Sequence, residues 1–205
     1  MNRVLGVRGA KLSAVSSAAP RLLTFADLLA LGDVSAEIVG GTLVYKADPS
    51  GEHADAQAAL AAFLRPEFHR RSGHGGPGGW WILTEVDIEL AAHDVYRPDV
   101  CGWRRERLPE RPSGRPVRVR PDWVCEILSS SNAATDQVDK FRVYAASGVP
   151  FYWIGDPERK ILTVYRLEGD RYSVALQAKQ GETVSAPPFE AAPLRVGLLF
   201  GEDPD

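Results

Sequence analysis

The stretch of this chain that decides its fold reads DWVCEILS and spans residues 122–129. Side chains of a β-strand alternate between its two faces, so Glu126 points to the same side as Val124 and Leu128. That apolar side is the one that a sheet normally buries. An ionised carboxylate buried without a partner is costly in free energy. The stretch therefore predicts a core strand, with a cation, a hydrogen-bond donor or a metal ion beside Glu126.

Two other segments supply candidate partners for this carboxylate. Asp99 follows Pro98 near the start of an earlier extended segment, and Lys140 lies on the helix predicted after the strand. Two carboxylates on neighbouring strands suit Mg²⁺ or Mn²⁺, which prefer hard oxygen ligands. A metal ion there can generate hydroxide and polarise a phosphodiester, while a lysine stabilises the charged transition state. An Asp–Glu–Lys set is the minimal equipment for metal-dependent phosphodiester cleavage.

Each of these residues also has an ordinary structural interpretation. Asp99 can cap a turn after its proline, and Glu126 can form a structural ion pair with an arginine. Lys140 can cover a solvated helix face. Asp122 also follows a proline, but it precedes Glu126 on the same strand and does not supply the second strand's carboxylate. The residues alone leave these alternatives open.

The composition predicts one compact domain of mixed α/β (α+β) class. The chain has 205 residues, of which 44% are hydrophobic, and a formal net charge of −3 argues against coating nucleic acid by bulk charge. Residues 1–20 have a positive start without a continuous apolar core, which predicts a disordered N-terminal arm rather than a secretory signal. No apolar run approaches the roughly 18 residues of a membrane span. We expect a cytoplasmic protein whose residues 21–205 form one domain, with Cys101 and Cys125 as reduced core thiols.

The order of helical and extended patterns predicts a mixed sheet flanked by helices, with added hairpins at both ends. The first half should contain a short helix at residues 25–31, a hairpin at 36–45 around Gly40-Gly41, and a longer helix at 54–70 that Pro66 kinks or ends early. The second half should contain strands at residues 81–90, 96–103 and 123–128, a helix at 136–147 capped by Thr135, a strand at 151–154 and a hairpin at 161–178.

Several motifs of the chain match the pattern of a known family. They are Arg97-Pro98-Asp99-Val100, Val124-Cys125-Glu126-Ile127-Leu128-Ser129, Asp136, Lys140, Tyr144, Gly148-Val149-Pro150, Tyr152-Trp153 and Asp156-Pro157. Together with the hairpin Glu37–Val44 and with His53, they resemble the Uma-two family of bacterial restriction endonucleases. For His53 we favour a hydrogen bond at the start of the helix over a catalytic role. That family belongs to the PD-(D/E)xK nuclease superfamily. The resemblance covers roughly residues 22–167 and implies a restriction-endonuclease-like fold.

The resemblance implies a role for each matched residue. Asp99 would be the metal-binding Asp of the superfamily motif, Glu126 its second acidic residue and Lys140 its lysine. The standard motif places the lysine two residues after the glutamate, where this chain has Leu128. The resemblance therefore implies a lysine displaced to the next helix. Glu37 matches a further acidic position and is a candidate metal ligand, with a salt bridge inside its hairpin as the alternative.

An arginine-rich segment lies between the second and third of the predicted central strands. It contains Arg104, Arg105, Arg107, Arg111, Arg115, Arg118 and Arg120, interleaved with prolines. One interpretation is a solvated, poorly ordered loop outside the sheet. The other is a loop that contacts phosphates, for which Arg115 and Arg118 are the candidates.

These expectations combine into one leading function and two alternatives. The leading function is a Mg²⁺-dependent endonuclease that hydrolyses phosphodiester bonds of DNA, with Mn²⁺ able to substitute. The alternatives are a catalytically inactive nuclease fold that binds nucleic acid, and a protein-interaction module whose acidic residues are vestigial. DNA is the expected partner, no membrane is expected, and a homodimer is left open.

Overall fold

A computed structural model describes residues 21–32, 34–129 and 133–203, and for residues 133–138 it describes the backbone alone. The predicted N-terminal arm at residues 1–20 lies outside the described residues. The helices are α1 (Phe25–Ala30), α2 (Gly51–Phe68), α3 (Ala133–Ala146) and a 3-10 helix (Val196–Phe200). The strands are β1 (Ala36–Val39), β2 (Thr42–Tyr45), β3 (Trp80–Thr84), β4 (Ile88–Ala91), β5 (Asp94–Tyr96), β6 (Val100–Arg104), β7 (Trp123–Ile127), β8 (Phe151–Asp156), β9 (Ile161–Glu168), β10 (Arg171–Lys179), β11 (Thr183–Val184) and β12 (Leu194–Arg195).

The main sheet has the strand order β10-β9-β8-β7-β6-β3, and β7 is buried along its whole length. Only the β7–β8 pair in this sheet is parallel, so the sheet is mixed as predicted. Alternate residues of β7 enter two separate cores. Cys125 packs with Leu60 and Leu64 of α2, whereas Val124 packs with Tyr144 of α3. The sheet therefore lies between the two longer helices, and Glu126 belongs to the α3 side.

A second sheet, of order β2-β1-β5-β4, combines the predicted N-terminal hairpin with two strands that sequence patterns had joined to their neighbours. The predicted strand 81–90 is two strands, β3 and β4, because the backbone at Glu85 adopts a left-handed conformation with φ 52°. The predicted strand 96–103 is likewise divided into β5 and β6 around Pro98, which has no N–H for a ladder. Both breaks lie where the chain passes from one sheet to the other.

The helix boundaries differ from the sequence prediction at two places. α2 begins at Gly51 and continues to Phe68, so Pro66 does not end it; the proline lies in the last turn and removes only one helical hydrogen bond. α3 begins at Ala133, so Thr135 lies inside the helix rather than capping it. Its end is as predicted, because Gly148 takes the left-handed conformation with φ 73°.

The arginine-rich segment lies outside the main sheet after Arg104, as predicted, but the interpretation as a plain solvated loop is wrong. Val117 is only 4% exposed and pairs with Ile88 of β4. Four arginines form ion pairs with carboxylates outside the segment: Arg107 and Arg120 with Asp122, Arg115 with Asp87, and Arg118 with Glu89. Asp122 also accepts a hydrogen bond from the backbone N–H of Arg104, so it serves the structure of this segment.

β3 is one edge of the main sheet, and side chains satisfy its outward backbone groups. Arg65 donates to the carbonyl oxygen of Ile82 at 2.7 Å, and the N–H of Ile82 donates to Nδ1 of His69 at 2.9 Å. Arg105 donates to the carbonyl oxygen of Trp80 at 2.9 Å. Burial and the charge of Arg65 lower the pKa of His69, which agrees with a neutral ring that accepts the Ile82 hydrogen bond.

Two further observations concern the whole fold. Cys101 and Cys125 are free thiols, buried on β6 and β7, as predicted. Within the described ranges, none of the helices has the length and apolar character that crossing a membrane requires.

Candidate active site

Glu126 lies on β7, and Asp99 lies opposite it, directly before the adjacent strand β6. β6 and β7 are antiparallel and pair Val100 with Cys125, so the residue before β6 faces Glu126. Directly opposed residues of an antiparallel pair project from the same side of the sheet. Asp99 is 1% exposed and Glu126 is 6% exposed. The arrangement brings two carboxylates into a region with little water.

Glu126 receives one hydrogen bond and one ion pair from α3. Tyr144 donates its hydroxyl to Oε1 of Glu126 at 2.8 Å, and Nζ of Lys140 lies 3.3 Å from Oε2. The two residues are four positions apart and thus share one helix face. The charged partner of Glu126 is therefore a lysine rather than the arginine considered as an alternative.

Lys140 bridges two buried carboxylates. Its Nζ lies 3.0 Å from Oε2 of Glu37, in addition to its contact with Glu126. The other carboxylate oxygen of Glu37 accepts a hydrogen bond from the N–H of Arg97 at 2.8 Å. Lys140 is 4% exposed and Glu37 is 1% exposed. Lys140 is therefore not on a solvated helix face. Glu37 pairs with this lysine of α3 rather than with a partner inside its own hairpin.

Asp99 has its own set of partners, which come from β7, from the residue after β2 and from the start of α2. Its Oδ2 accepts a 2.7 Å hydrogen bond from the N–H of Ile127 and lies 3.2 Å from Nε2 of His53. Its Oδ1 lies 3.3 Å from Nζ of Lys46. His53 belongs to the first turn of α2, where its N–H also donates to the Ser50 hydroxyl. Lys46, directly after β2, and His53, in the first turn of α2, are therefore both positioned beside Asp99.

Glu85 and Gln57 form the more accessible margin of this cluster. Gln57 donates to the carbonyl oxygen of Asp99 at 3.0 Å and to Oε1 of Glu85 at 3.2 Å. Lys46 lies 3.7 Å from Oε2 of Glu85, whose side chain is 43% exposed. The site therefore reaches solvent beside the left-handed residue at the end of β3.

Burial and neighbouring charges act differently on the two central carboxyl groups. Burial is the largest influence on Glu126 and raises its pKa, with Asp99 and Glu37 adding to the rise and Lys140 opposing it. Burial also acts to raise the pKa of Asp99, but the His53 hydrogen bond and the Lys46 charge outweigh it and hold that pKa at about 2. The hydrogen bond to Asp99 raises the pKa of His53.

The chemistry of this cluster fits a hard divalent cation. Glu37, Asp99 and Glu126 provide carboxylate oxygens, the ligands that Mg²⁺ and Mn²⁺ prefer. In the described residues no three His, Cys, Asp or Glu side chains already converge in metal-binding geometry. The ammonium groups of Lys46 and Lys140 neutralise the carboxylates instead. A bound cation would take over part of that neutralisation.

The structure brings together more residues than sequence reasoning did. Lys46, Gln57 and Glu85 are additional members, and the side chain of His53 joins as well. Tyr144 belonged to the motifs of the resemblance but had no assigned role. No periodicity marks Lys46 or Glu85, because both lie beyond strand ends.

The two candidate phosphate-binding arginines lie outside the cluster. Arg115 pairs with Asp87, which also accepts a 2.7 Å hydrogen bond from Arg97, two residues before Asp99. Arg118 pairs with Glu89 at 2.9 Å and keeps a side chain that is 68% exposed.

Comparisons with known proteins agree on the fold. The family model "Uma2: Putative restriction endonuclease" matches residues 24–196. A crystal structure described as "a putative nuclease belonging to DUF820" from Anabaena variabilis is similar to this chain, with a TM-score of 0.65 and 22% sequence identity, over 87% of this chain and 97% of that one. That likeness establishes a restriction-endonuclease-like, mixed α/β fold. No curated protein sequence matches the chain.

Proposed function

The chain belongs to the family whose model is described as "Uma2: Putative restriction endonuclease", and we propose that it is a metal-dependent endonuclease that hydrolyses phosphodiester bonds of DNA. The observation that carries the proposal is the buried pair of Asp99 and Glu126 with Lys140 against it. A buried ionic cluster generally adds less stability than apolar residues of similar volume. Perturbed carboxyl groups in a partly accessible cleft are typical of sites that do chemistry.

The carboxylates are proposed to hold the cation. Asp99 and Glu126 would bind Mg²⁺, for which Mn²⁺ can substitute, with Glu37 as a further oxygen ligand. When bound, the cation would act as a Lewis acid on the phosphate and would lower the pKa of a water molecule. Tyr144 orients Glu126 through its hydroxyl, and the N–H of Ile127 orients Asp99. Both carboxylates are thus fixed before the substrate arrives.

Lys140 is proposed as the catalytic lysine. Leu128 occupies the position at which the standard motif has its lysine, and it carries no charge. The ammonium group of Lys140 lies beside Glu126 instead and can stabilise the negative charge that develops on the phosphate oxygens. In the reaction a water oxygen bonds to phosphorus and the bond from phosphorus to the sugar oxygen breaks. The sugar oxygen takes a proton, and a phosphate monoester remains on the other fragment.

A plasmid-nicking assay in Mg²⁺, Mn²⁺ or EDTA tests the proposal. We expect the wild-type protein to nick the plasmid in Mg²⁺ or Mn²⁺ but not in EDTA. The variants Asp99→Asn and Glu126→Gln should be inactive in all three conditions. Lys140→Met should lose on the order of 100-fold or more in rate, because it removes a preorganised charge. Lys160→Met, in the exposed turn between β8 and β9, is the matched control and should keep full activity.

Melting temperatures separate a chemical effect from unfolding. Full nicking by a folded Lys140→Met protein would remove the lysine assignment. Full nicking by folded Asp99→Asn would remove the metal site. Wild-type protein that cleaves neither plasmid, linear duplex nor single strands in either cation would contradict the endonuclease proposal.

A further inference from the structure

Lys46 holds an unusual place at the edge of the carboxylate cluster. It lies directly after β2, where its N–H donates to the carbonyl oxygen of Ser35 at 2.8 Å and fixes the backbone. Its ammonium donates to the carbonyl oxygen of Arg97 at 2.9 Å and lies 3.3 Å from Oδ1 of Asp99. It also lies 3.7 Å from Oε2 of Glu85. One ammonium group thus joins the buried carboxylate to the accessible one.

The two lysines of the site differ in access to solvent. The side chain of Lys140 is 5% exposed and is held between Glu37 and Glu126. The side chain of Lys46 is 16% exposed, and its neighbour Glu85 is 43% exposed. A phosphodiester is charged and strongly hydrated, so it approaches from the accessible side rather than through the core. Of the two ammonium groups, that of Lys46 stands at this side.

We propose that Lys46 is a phosphate-binding residue of this site, which neutralises Asp99 in the metal-free protein and contacts a backbone phosphate of the nucleic acid when a divalent cation neutralises Asp99 instead. The inference rests on the proposed function and adds a substrate-binding role that the Asp99, Glu126 and Lys140 set does not contain. A lysine suits this exchange, because its four-carbon stem is flexible and its charge is compact.

Electrostatics couples the two events. An ammonium group and a divalent cation at the same carboxylate repel each other, so Lys46 weakens the binding of the cation in the absence of substrate. A phosphate that accepts the displaced ammonium relieves that repulsion. Cation and nucleic acid therefore strengthen each other's binding, and thermodynamic linkage makes the two effects equal. Lys46 is the residue through which this coupling acts.

The test measures binding rather than turnover, in the full-length protein with Ca²⁺ as the divalent cation. Calorimetry gives the Ca²⁺ affinity without DNA, and a fluorescent duplex, checked to be intact afterwards, gives the DNA affinity in Ca²⁺ at several salt concentrations. The variants are Lys46→Met, Lys46→Gln, which can keep a bond to the Arg97 carbonyl, and Lys46→Arg, which keeps the charge. Lys179→Met, exposed on β10 at the opposite edge of the sheet, is the control. Melting temperatures accompany every variant.

The two neutral variants should change the two affinities in opposite directions. Ca²⁺ should bind about tenfold more tightly, since a like charge has been removed from beside it. DNA should bind more weakly, and the slope of log affinity against log salt should fall by about one, as expected for one lost phosphate contact. Lys46→Arg and Lys179→Met should retain the wild-type salt slope. A residue that only supports the fold would not move that slope.

The outcomes separate this inference from the function on which it rests. A folded neutral variant with wild-type DNA affinity and salt slope overturns the role of Lys46, while Ca²⁺ and DNA binding by the wild type leaves the nuclease proposal standing. Wild-type protein that binds neither Ca²⁺ nor DNA overturns both. If Lys46→Met is unfolded, the same comparison is decided by Lys46→Gln against Lys46→Arg.

Discussion

At the scale of single residues, Glu126 is a buried carboxylate that destabilises the metal-free fold and is also a proposed metal ligand. It projects to the same side of β7 as Val124, which packs in the core with Tyr144. Burial raises the pKa of Glu126, and the nearby carboxylates Asp99 and Glu37 add to the rise. A neutral residue would suit the fold better in the absence of a cation. Natural proteins accept such a cost mainly at functional positions.

Glu126→Gln should stabilise the metal-free protein, and increasingly so as the pH rises. The pKa of Glu126 is raised above the ordinary value of 4.5, so the folded state holds its proton more tightly than the unfolded state does. The stability that protonated Glu126 gives the folded state is complete below the pKa of this residue in the unfolded state, and it is lost as the pH rises toward the pKa in the folded state. We expect Glu126→Gln to exceed the wild type by on the order of a few °C in melting temperature at pH 8 in EDTA. At pH 5 the difference should shrink, and a constant difference would contradict the raised pKa.

Glu126 could be found from the sequence because it is the one charged residue in the otherwise apolar run 123–128, which makes a buried charge visible. Its proximity to Asp99 was expected from the family resemblance, which matches both residues to one metal site. Lys46 and Glu85 could not be found, because no alternation continues past a strand end. Their positions follow from how the β1–β2 hairpin docks and from one left-handed residue.

At the scale of elements, the breaks between strands position the site. β3 and β4 have continuous β-type sequence on both sides of Glu85, so sequence patterns indicated one strand where the structure has two. A positive φ at a non-glycine residue leaves no compositional sign. The break sends β4 into the second sheet and leaves Glu85 beside Lys46. Element types were therefore predictable here, whereas the change of sheet was not.

The outer edge of β3 should loosen in acid. Because burial lowers the pKa of His69, the stability that its neutral ring provides is present above the ordinary pKa of 6.5 and is lost as the pH falls below it. Protonation of Nδ1 removes the acceptor for the Ile82 N–H. Amide hydrogen exchange should show falling protection of Ile82 below pH 6.5, after correction for the intrinsic rate. The amide of Trp153, in the interior strand β8, should not follow this trend.

The arginine-rich segment should contribute to DNA binding through Arg118 rather than Arg115. Arg118 is 68% exposed, so Arg118→Glu should weaken DNA binding and lower its salt slope without unfolding the protein. Arg115→Glu should instead lower the melting temperature, because it places a like charge against buried Asp87. Arg171→Glu, 89% exposed on β10, is the control. Unchanged affinity and slope in Arg118→Glu would leave the segment with a structural role alone.

At the scale of the whole molecule, the carboxylate cluster draws on parts of the chain that are far apart in sequence. Glu37 comes from the second sheet, Glu126 from the main sheet, Lys140 from α3 and His53 from α2. Sequence patterns predict each element but not the contacts between these side chains, which depend on how the two sheets and the helices pack. The family resemblance supplied that information for Asp99, and for the residues matched with it.

A divalent cation should therefore stabilise the molecule as a unit. Since a ligand that binds only the folded state adds stability in proportion to the logarithm of its concentration, the melting temperature should rise steadily with Mg²⁺ or Mn²⁺. The double variant Asp99→Asn/Glu126→Gln should show no such rise. Calorimetric melting curves at several cation concentrations measure both. An equal rise in the double variant would show that the cation binds elsewhere.

The two buried cysteines allow the separation of strands β6 and β7 to be measured by thiol labelling. Cys101 and Cys125 lie on β6 and β7, the strand pair that positions Asp99 and Glu126, and are 0% and 1% exposed. Burial raises the pKa of both thiols, so the reactive thiolate is scarce as long as the strands stay paired. A thiol reagent such as Ellman's disulfide should therefore label the folded protein only as fast as this strand pair separates. The rate at which the colour develops therefore measures how often the strand pair that carries the candidate site opens, and no label has to be built into the protein.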